Sequence, residues 1–228
     1  MPSSPELSIV IPALNAAARI GACIDALQSF EGTKEIIVID GGSTDNTVTL
    51  AASRGATVVS TTPGRGSQLG AGAARAQAPW LLFVHADTIL DTGWANEVAA
   101  FIGCPTHVDQ AAYFTFALDD FSPAARWLER IVSWRCRIFA LPYGDQGLLI
   151  SRQLYGRIGG YRPIPIMEDV DLIGRISKSA RVGLKSKAVT SADRYRKNGY
   201  LLRPLRNLVC QSLWRLGLPP EKVARLYR

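Results

Sequence analysis

Carboxylates follow apolar segments at two places in this chain, where they could bind a cation or hold a ribose. Asp40 follows four apolar residues, and Asp87 follows five apolar residues with His85 and Ala86 in between. Short apolar segments of this kind are typical of buried strands. Because ligands of α/β proteins bind at the carboxyl ends of parallel strands, we expect these side chains to lie in one ligand site.

Asp40 opens the motif DGGSTDNT, which leads into a predicted helix. An ordinary helix start, with Thr44 or Asp45 as the N-cap residue, accounts for the second half of this motif. It does not account for a carboxylate at the end of the strand, where Asp40 can accept hydrogen bonds from the base or ribose edge of a nucleotide. We therefore expect Asp40, with Gly42 in the flexible turn, to take part in nucleotide binding.

His85 and Asp87 are separated by one residue at the end of a predicted strand, so both side chains can point toward one cation. A nucleotide diphosphate offers oxygen atoms that complete the coordination of such a cation. An imidazole ligand favours Mn²⁺ over Mg²⁺ weakly. We expect Asp87 and His85 to bind a divalent metal, Mn²⁺ or Mg²⁺. The alternatives are a turn or N-cap role for Asp87 and a structural hydrogen bond for His85.

Three acidic residues, Glu168, Asp169 and Asp171, begin a predicted helix over residues 168–178. Acids in a first helical turn are favourable because of the helix dipole, and this explains their position without any function. The alternative is that one of them takes the proton of an acceptor hydroxyl as that hydroxyl attacks an anomeric carbon. Glu168 and Asp169 are the candidates for this catalytic role.

Arg65 lies in the segment GRGSQLG, which resembles a dinucleotide-binding loop only superficially. Its glycine spacing differs from that motif, and the loop after the first strand, residues 12–15, contains no glycine. A nicotinamide or flavin cofactor is therefore not expected. We expect Arg65 to act as a cation near the donor phosphates or near the acids at the strand ends, with a solvent-exposed arginine as the alternative.

The segment YGDQG at residues 143–147 precedes a predicted strand and carries a carboxylate and an amide between two glycines. A simple turn would explain this composition. Its place between an amphipathic helix and a core strand favours binding of the acceptor or of the donor sugar. The residues assigned to this role are Gly144, Asp145 and Gln146.

Strand and helix patterns alternate along the first half of the chain. Predicted strands cover residues 7–11, 35–40, 57–61 and 80–85, and predicted helices cover residues 19–29, 46–54, 67–77 and 93–102. Such alternation produces right-handed crossovers and a parallel sheet covered on both faces. In the second half, strands are predicted at 113–118 and 148–151, and helices at 123–139 and 168–178.

We therefore predict an α/β fold with a mostly parallel central sheet flanked by helices, in a single domain of residues 1–228. The nucleotide-binding half covers about residues 7–105, and the acceptor-side half covers about 106–190. A basic helical extension covers about 191–228. With 228 residues, of which 47% are hydrophobic, the chain can bury a substantial core.

The C-terminal part of the chain is strongly basic. Residues 181–228 hold 12 Lys or Arg and two acids, a net charge of +10, whereas residues 1–180 hold 14 and 17, a net charge of −3. This asymmetry suggests a polyanionic partner. A predicted amphipathic helix over residues 200–216 has Leu201, Leu205, Leu208, Val209, Leu213 and Leu216 on one face. Such a face usually packs on a core, but a basic amphipathic helix with Trp214 also suits an anionic membrane surface.

Other partner and compartment classes are less consistent with the sequence. No nucleic-acid-reading motif accompanies the basic segment, so nucleic acid is not expected as a partner. The four cysteines are far apart and have no CxxC pairing, which indicates reduced thiols. No uncharged apolar run approaches the roughly 20 residues needed to cross a bilayer, and residues 1–8 lack the pattern of a secretory signal. We expect a cytoplasmic protein, with peripheral contact at the inner face of the membrane as an option.

Four motifs in this order resemble family 2 glycosyltransferases of the GT-A fold: SIVIPALN at residues 8–15, DGGSTDNT at 40–47, HAD at 85–87 and ED at 168–169. The resemblance covers about residues 7–190. It implies that residues 12–14 and Asp40 hold the nucleotide, that Asp87 binds the metal and that Asp169 is the general base. The usual Asp-x-Asp is HAD here, and this variant resembles a compact bacterial subgroup.

The resemblance implies an inverting, metal-assisted glycosyltransferase of the hexosyltransferase type that moves a sugar from a nucleotide diphosphate donor to an unidentified acceptor hydroxyl. Donor binding is assigned to Pro12, Ala13, Leu14, Asn15, Asp40, Gly42, Arg65, Ala86 and Asp87. A nucleotidyltransferase is one alternative, but it normally needs a glycine-rich basic loop after the first strand. A non-catalytic module that binds nucleotide sugars or anionic surfaces is the other, and the presence of both Asp87 and Asp169 argues against it.

Overall fold

The apolar segments of the chain form one eight-stranded sheet in the computed structural model, which describes residues 4–200 and 202–227. The strands are β1 (Leu7–Ala13), β2 (Lys34–Asp40), β3 (Thr57–Ser60), β4 (Trp80–Phe83), β5 (Thr88–Leu90), β6 (Ala111–Leu118), β7 (Leu148–Ser151) and β8 (Arg181–Thr190). The predicted strands are all present, and β5 and β8 are additions that the sequence pattern did not predict.

Ten α-helices accompany the sheet within the same described ranges. They are α1 (Ala17–Leu27), α2 (Thr47–Ser53), α3 (Arg65–Arg75), α4 (Trp94–Ile102), α5 (Pro123–Phe139), α6 (Arg152–Arg157), α7 (Glu168–Gly174), α8 (Asp193–Asn198), α9 (Leu202–Arg215) and α10 (Pro220–Tyr227). Short 3₁₀ turns cover Pro105–Asp109, Gly144–Gln146 and Lys178–Ala180. Among these helices, none has both the length and the apolar character that crossing a bilayer requires.

The strand order is β3-β2-β1-β4-β7-β6-β8-β5. The first four strands in this order are parallel, as the alternating half of the sequence predicts. β7 runs antiparallel to both β4 and β6, β8 pairs in parallel with β6, and β5 runs antiparallel to β8. The α/β class is thus confirmed, and the antiparallel pairs are confined to the half that carries the second group of motifs.

The core strands read as continuous apolar runs because helices cover both faces of the sheet. Leu7, Ile9 and Ile11 of β1 pack on one face with α1, α4 and α2, whereas Val10 packs on the opposite face with α3, α6 and α7. All four side chains are fully buried. The sheet is therefore a rigid support for the loops at its carboxyl edge.

Most predicted helices match the observed ones to within two residues at each end, and the larger differences lie in the second half of the chain. The helix predicted over 168–178 ends at Gly174, four residues early, where glycine has a low helix propensity, and a 3₁₀ turn follows at Lys178–Ala180. The C-terminal helix predicted over 200–216 is α9, and the structure adds α8 before it and α10 after it. Of the predicted apolar face of this helix, Leu201 lies outside the described residues, and Leu205, Leu208 and Val209 are exposed.

Close packing of α3 on the sheet gives a direct test of the fold. A Cβ atom added at Gly72 would lie 2.2 Å from Val10 Cγ1 and 3.1 Å from Ile39 Cγ1, so Gly72→Ala must push α3 away from β1 and β2. We expect a loss of about 1–3 kcal/mol in the free energy of unfolding, measured by urea denaturation.

Gly70 on the same helix provides the matched control, because the nearest atom to an added Cβ is Tyr161 O at 3.6 Å. Gly70→Ala should leave stability unchanged or raise it by about 0.5–1 kcal/mol through helix propensity. Equal unfolding midpoints for the two variants would contradict the packing of α3 against β1.

Candidate active site

A cleft of about 620 Å³ opens at the carboxyl edge of the sheet, where β1 and β4 end. It is bounded on one side by the loop after β1 and on the other by the Gly144–Gln146 turn and the start of α7. Its lining includes the predicted site residues Pro12, Ala13, Leu14, Asn15, Arg65, His85, Ala86, Asp87, Gly144, Asp145, Glu168 and Asp169. Asp40, Gly42 and Gln146 are not part of this lining.

The loop after β1 is held in place by the turn after β2. Asn15 adopts a left-handed backbone conformation with φ of 49°, which asparagine tolerates better than most residues. Its side-chain Oδ1 accepts a hydrogen bond from the Thr44 backbone N–H, and its own N–H donates to Ser43 Oγ. Gln68 of α3 completes the support by donating from Nε2 to the Ala13 and Ile39 carbonyls. Leu14 is left half exposed over the cleft.

Asp40 is buried and forms hydrogen bonds with the backbone of the turn that directly follows it. Its carboxylate accepts hydrogen bonds of 3.0 Å from the backbone N–H groups of Gly42 and Ser43. Gly42 has φ of 91°, a conformation that favours glycine, and this brings its N–H toward the carboxylate. Asp40 and Gly42 therefore shape the turn that holds Asn15, and their effect on the cleft passes through that loop.

His85 and Asp87 face the cleft directly after β4. Among residues 4–200 and 202–227, no hydrogen bond or ion pair engages the Asp87 carboxylate or the His85 ring, so their donor atoms can serve a ligand. Burial and the positive charge of Arg65 lower the pKa of His85 to about 4, so its imidazole is neutral near pH 7 and keeps a lone pair for a metal.

A metal ion in this cleft would need coordinating atoms from a ligand in addition to those of the protein. Within the described part of the chain, no group of three or more His, Cys, Asp or Glu side chains is arranged to hold a metal ion. Asp87 and His85 therefore offer a two-donor set, which fits a hard divalent cation that takes its remaining ligands from phosphate oxygens or water. It does not fit a metal enclosed by protein alone.

The two acids at the start of α7 have different surroundings. Asp169 accepts a 2.6 Å hydrogen bond from the Gly144 N–H on Oδ2 and a 2.8 Å bond from the Val170 N–H on Oδ1. Glu168 is only 2% exposed, and its Oε1 accepts from Arg65 Nη1 at 3.3 Å. Burial raises the pKa of Glu168, and the Arg65 charge opposes this rise. Both acids line the cleft, but in the described part of the chain only Glu168 is paired with an arginine.

Glycine at position 144 leaves room between the two halves of the site. A Cβ atom there would lie 3.0 Å from His85 Nε2 and 3.2 Å from Asp169 Oδ2. These two side chains therefore approach the same point, although they come from β4 and α7. The metal-ligand candidates and the proton-acceptor candidate consequently share one small region of the cleft.

The Gly144–Gln146 turn contributes a buried acid to this region. Asp145 Oδ1 is buried and has no hydrogen-bond partner in the part of the chain that the structure describes. Burial raises the pKa of Asp145 to about 6, with Arg135 opposing and Asp169 and Asp87 adding to the rise. Gln146 instead fixes the turn, because Oε1 accepts from the Tyr143 N–H and Nε2 donates to the Phe114 carbonyl.

Sequence reasoning missed the side of the cleft formed by the end of β8 and the helices that follow. The additional lining residues include Thr190, Ser191, Asp193, Arg194, Asn207 and Gln211. Gln211 of α9 is 4% exposed and accepts a 2.6 Å hydrogen bond from the Tyr143 hydroxyl. Asn207 and Gln211 are four residues apart on one polar helix face, and this spacing was the available signal.

Comparison with known proteins identifies similarity to glycosyltransferases. A family model described as "Glycosyl transferase family 2" matches residues 8–162. A PGL/p-HBAD biosynthesis glycosyltransferase of Mycobacterium bovis is 36% identical over 110 residues, which is 44% of this chain and 43% of that protein. An uncharacterized glycosyltransferase of Mycobacterium tuberculosis is 35% identical over 88 residues, which is 38% of this chain and 39% of that protein. The match thus spans about two-fifths of each relative's length.

Solved structures share the fold at low sequence identity. Glucosyl-3-phosphoglycerate synthase from Mycobacterium tuberculosis, in complex with Mn²⁺ and uridine-diphosphate-glucose, has a TM-score of 0.65 and 22% identity over 94% of this chain and 80% of that chain. Staphylococcus aureus TarS, residues 1–349, has a TM-score of 0.63 and 14% identity over 97% of this chain and 69% of that chain. The GT-A fold expected from the four motifs is confirmed by this similarity.

Proposed function

The chain belongs to glycosyl transferase family 2, and from this premise we propose that its cleft transfers a sugar, with inversion, from a nucleotide diphosphate donor to an acceptor hydroxyl. The observation that carries the proposal is that the β1 loop, Asp87 and Asp169 line one cleft. Inversion follows if the acceptor oxygen attacks the anomeric carbon from the face opposite the departing diphosphate. Family membership favours this reaction over nucleotidyl transfer or a silent binding module.

On the donor side, the loop of residues 12–15 contacts the nucleotide. Asp40 and Gly42 order the turn that anchors Asn15, so they act on the nucleotide through this loop. Arg65 is partly exposed at the cleft and already interacts with Glu168, and from this position its guanidinium can meet a phosphate. The backbone at Ala86 lies between the two metal-ligand candidates and keeps them together.

Asp87 and His85 are proposed to hold a divalent cation, Mn²⁺ or Mg²⁺, together with the donor diphosphate. Such a cation, when bound, offsets the negative charge that builds on the departing diphosphate. The Asp87 carboxylate, which no described residue engages, and the neutral His85 imidazole support this assignment. The presence of Mn²⁺ with uridine-diphosphate-glucose in the structurally similar synthase is consistent with it.

Asp169 is proposed as the general base that removes the acceptor proton. The Gly144 N–H bond fixes the orientation of its carboxylate at the cleft. Glu168 is the weaker candidate, since it is buried and paired with Arg65. Its role is to hold Arg65 at the edge of the cleft.

The acceptor is proposed to enter beside the Gly144–Gln146 turn. Gly144 leaves the space, and Asp145 and the polar side chains of α9 surround it. Gln146 supports the turn from beneath through its bond to Phe114. Residues of the acceptor-side half and of the basic extension therefore act together with the nucleotide-binding half, in keeping with the proposed single domain.

The basic C-terminal extension is proposed to contact the cytoplasmic face of an anionic membrane. The outward side of α9 exposes Leu205, Leu208 and Val209, which are 48–58% exposed instead of packed on the core. The surrounding segment of residues 181–228 has a net charge of +10. Apolar exposure combined with positive charge is typical of helices that lie at a membrane interface.

Ligand-induced stabilisation tests the donor assignment without knowledge of the acceptor. In a thermal-shift screen of nucleotides and nucleotide sugars with Mn²⁺ or Mg²⁺, we expect one nucleotide diphosphate series to raise the melting temperature. Ligand at 100 times its Kd stabilises a native state by about 2.7 kcal/mol, which is roughly 5–10 °C for a chain of this length. The nucleosides without phosphate serve as controls, and a flat response to every nucleotide with either metal contradicts the proposal.

A further inference from the structure

The outward side of α5 carries large apolar side chains that nothing in the described structure covers. Trp127, Ile131, Trp134 and Ile138 are 40–59% exposed. Their spacing of four, three and four residues places them in one line along the helix. The opposite side of α5 is already buried against β6 through Ala125, Leu128, Val132 and Cys136. Core packing therefore accounts for the buried side of α5. The exposed side, which we call the α5 face, consists of Trp127, Ile131, Trp134 and Ile138 and has no partner among the described residues.

Positive charge flanks the α5 face. The helix contains four arginines and one glutamate, a net charge of +3. Its one acid, Glu129, is engaged by Arg126 at 2.8 Å and by the Leu118 N–H, so it does not compensate the arginines beside the face. Arg130 and Arg137 are exposed. The surface is thus apolar along its centre and cationic along its edge.

We propose that the α5 face is a contact surface for an anionic lipid bilayer. The tryptophan and isoleucine side chains enter the headgroup region, where indole rings are favoured, and Arg130 and Arg137 meet the lipid phosphates. This contact lies on a different element from the C-terminal α9 contact and does not depend on the identity of donor or acceptor.

The charge pattern favours a bilayer over a second copy of the chain. In a twofold dimer through this helix, the same patch forms both sides of the interface. The one acid of α5, Glu129, is already paired with Arg126, so α5 offers the exposed arginines no free acidic counterpart. Tryptophan and isoleucine without a polar reading motif also give no basis for nucleic-acid binding. An anionic bilayer satisfies both the apolar line and the positive edge.

The proposed contact lies close to the cleft. The Arg135 guanidinium of α5 stacks on the Tyr143 ring at 3.6 Å from its centroid, and Tyr143 lines the cleft. The Tyr143 hydroxyl in turn bonds to Gln211 of α9. A bilayer bound to the α5 face would therefore hold the acceptor side of the cleft near the lipid surface.

Vesicle binding by the full chain tests this inference. Co-sedimentation with vesicles of equal parts phosphatidylcholine and phosphatidylglycerol should detect binding at low salt, weaker binding at high salt and little binding to phosphatidylcholine alone. The double variant Trp127→Ala/Trp134→Ala should lose affinity by roughly tenfold or more, because exposed apolar area no longer enters the interface. Arg130→Glu/Arg137→Glu should lower the affinity for the anionic vesicles by roughly tenfold or more, because the two arginines no longer meet lipid phosphates and the introduced acids repel them. The basic C-terminal extension accounts for any anionic preference that remains.

The matched control is Val48→Ala/Ile89→Ala, which removes two 37% exposed apolar side chains outside α5 and should bind like the wild type. Unchanged vesicle affinity of the tryptophan variant, or absence of wild-type binding to anionic vesicles, overturns the inference. Self-association that the tryptophan variant removes, without any vesicle binding, assigns the face to a second copy and also overturns it. The melting temperature of each variant shows whether it is folded. If the tryptophan variant does not fold, the vesicle affinity of the arginine variant decides the test.

Discussion

Asp169→Asn is expected to lower the turnover number by roughly 10²–10⁴-fold while donor affinity remains close to that of the wild type. Asparagine keeps the size of the side chain and can still accept the Gly144 N–H bond, so the cleft retains its shape. It cannot take a proton from the acceptor hydroxyl. The loss should therefore fall on kcat, with donor Kd from calorimetry as the companion measurement.

Asp171→Asn is the matched control for this variant, because the same chemical change occurs two residues later on α7. Asp171 pairs with Arg162 and Arg175 and does not line the cleft. We expect Asp171→Asn to lower the melting temperature but to keep the turnover number of the folded enzyme. Wild-type kcat in Asp169→Asn would remove Asp169 from the role of base.

Asp87→Ala should weaken metal-dependent donor binding by at least roughly tenfold, the scale on which even outer-shell changes alter metal sites. The effect is expected to be large because the described residues offer no group of three His, Cys, Asp or Glu side chains that could hold the cation. Calorimetric titration of the donor with and without Mn²⁺ measures it. In the variant, the difference between the two titrations should nearly disappear.

Asp193→Ala controls for the loss of one negative charge in the same cleft. Asp193 lines the cleft, but its carboxylate pairs with Arg19 and Arg196. This variant should retain the Mn²⁺ dependence of donor binding. If Asp87→Ala also retains it, the metal is held elsewhere or is not required.

The alternating half of the fold could be predicted because its strands are buried on both faces and read as apolar runs. β8 could not be predicted in this way, because it is not an apolar run. Lys185 and Lys187 are exposed, and Ser186 and Ala188 at the buried positions make the apolar side of the alternation weak. The antiparallel direction of β7 depends on which neighbours it finds in the sheet. Such pairing is decided by tertiary packing and leaves no local signal.

In the candidate site, too, some features follow from local sequence and others depend on tertiary packing. His85, Asp87 and Asp169 could be predicted to share a cleft because polar residues at the ends of strands and helices follow local rules, and all three line it. Asp40 was identified by the same rule, but its orientation is decided by the N–H groups of its own turn. Gln211 reaches the cleft only because α9 folds back onto Tyr143, a contact between residues 68 positions apart. Residue type can thus be read locally, whereas the direction of a side chain often cannot.

Release of nucleoside diphosphate tests the central claim most directly, when it is measured together with the mass of the glycosylated product. With the nucleotide sugar that stabilises the protein, Mn²⁺ and a pool of hydroxylated acceptors, the wild type should release one diphosphate for each sugar transferred. Asp87→Ala and Asp169→Asn should both be strongly impaired. Wild-type protein that binds the donor but neither transfers nor hydrolyses it, or variants that match its rate, would contradict a sugar-transfer cleft built on these two aspartates.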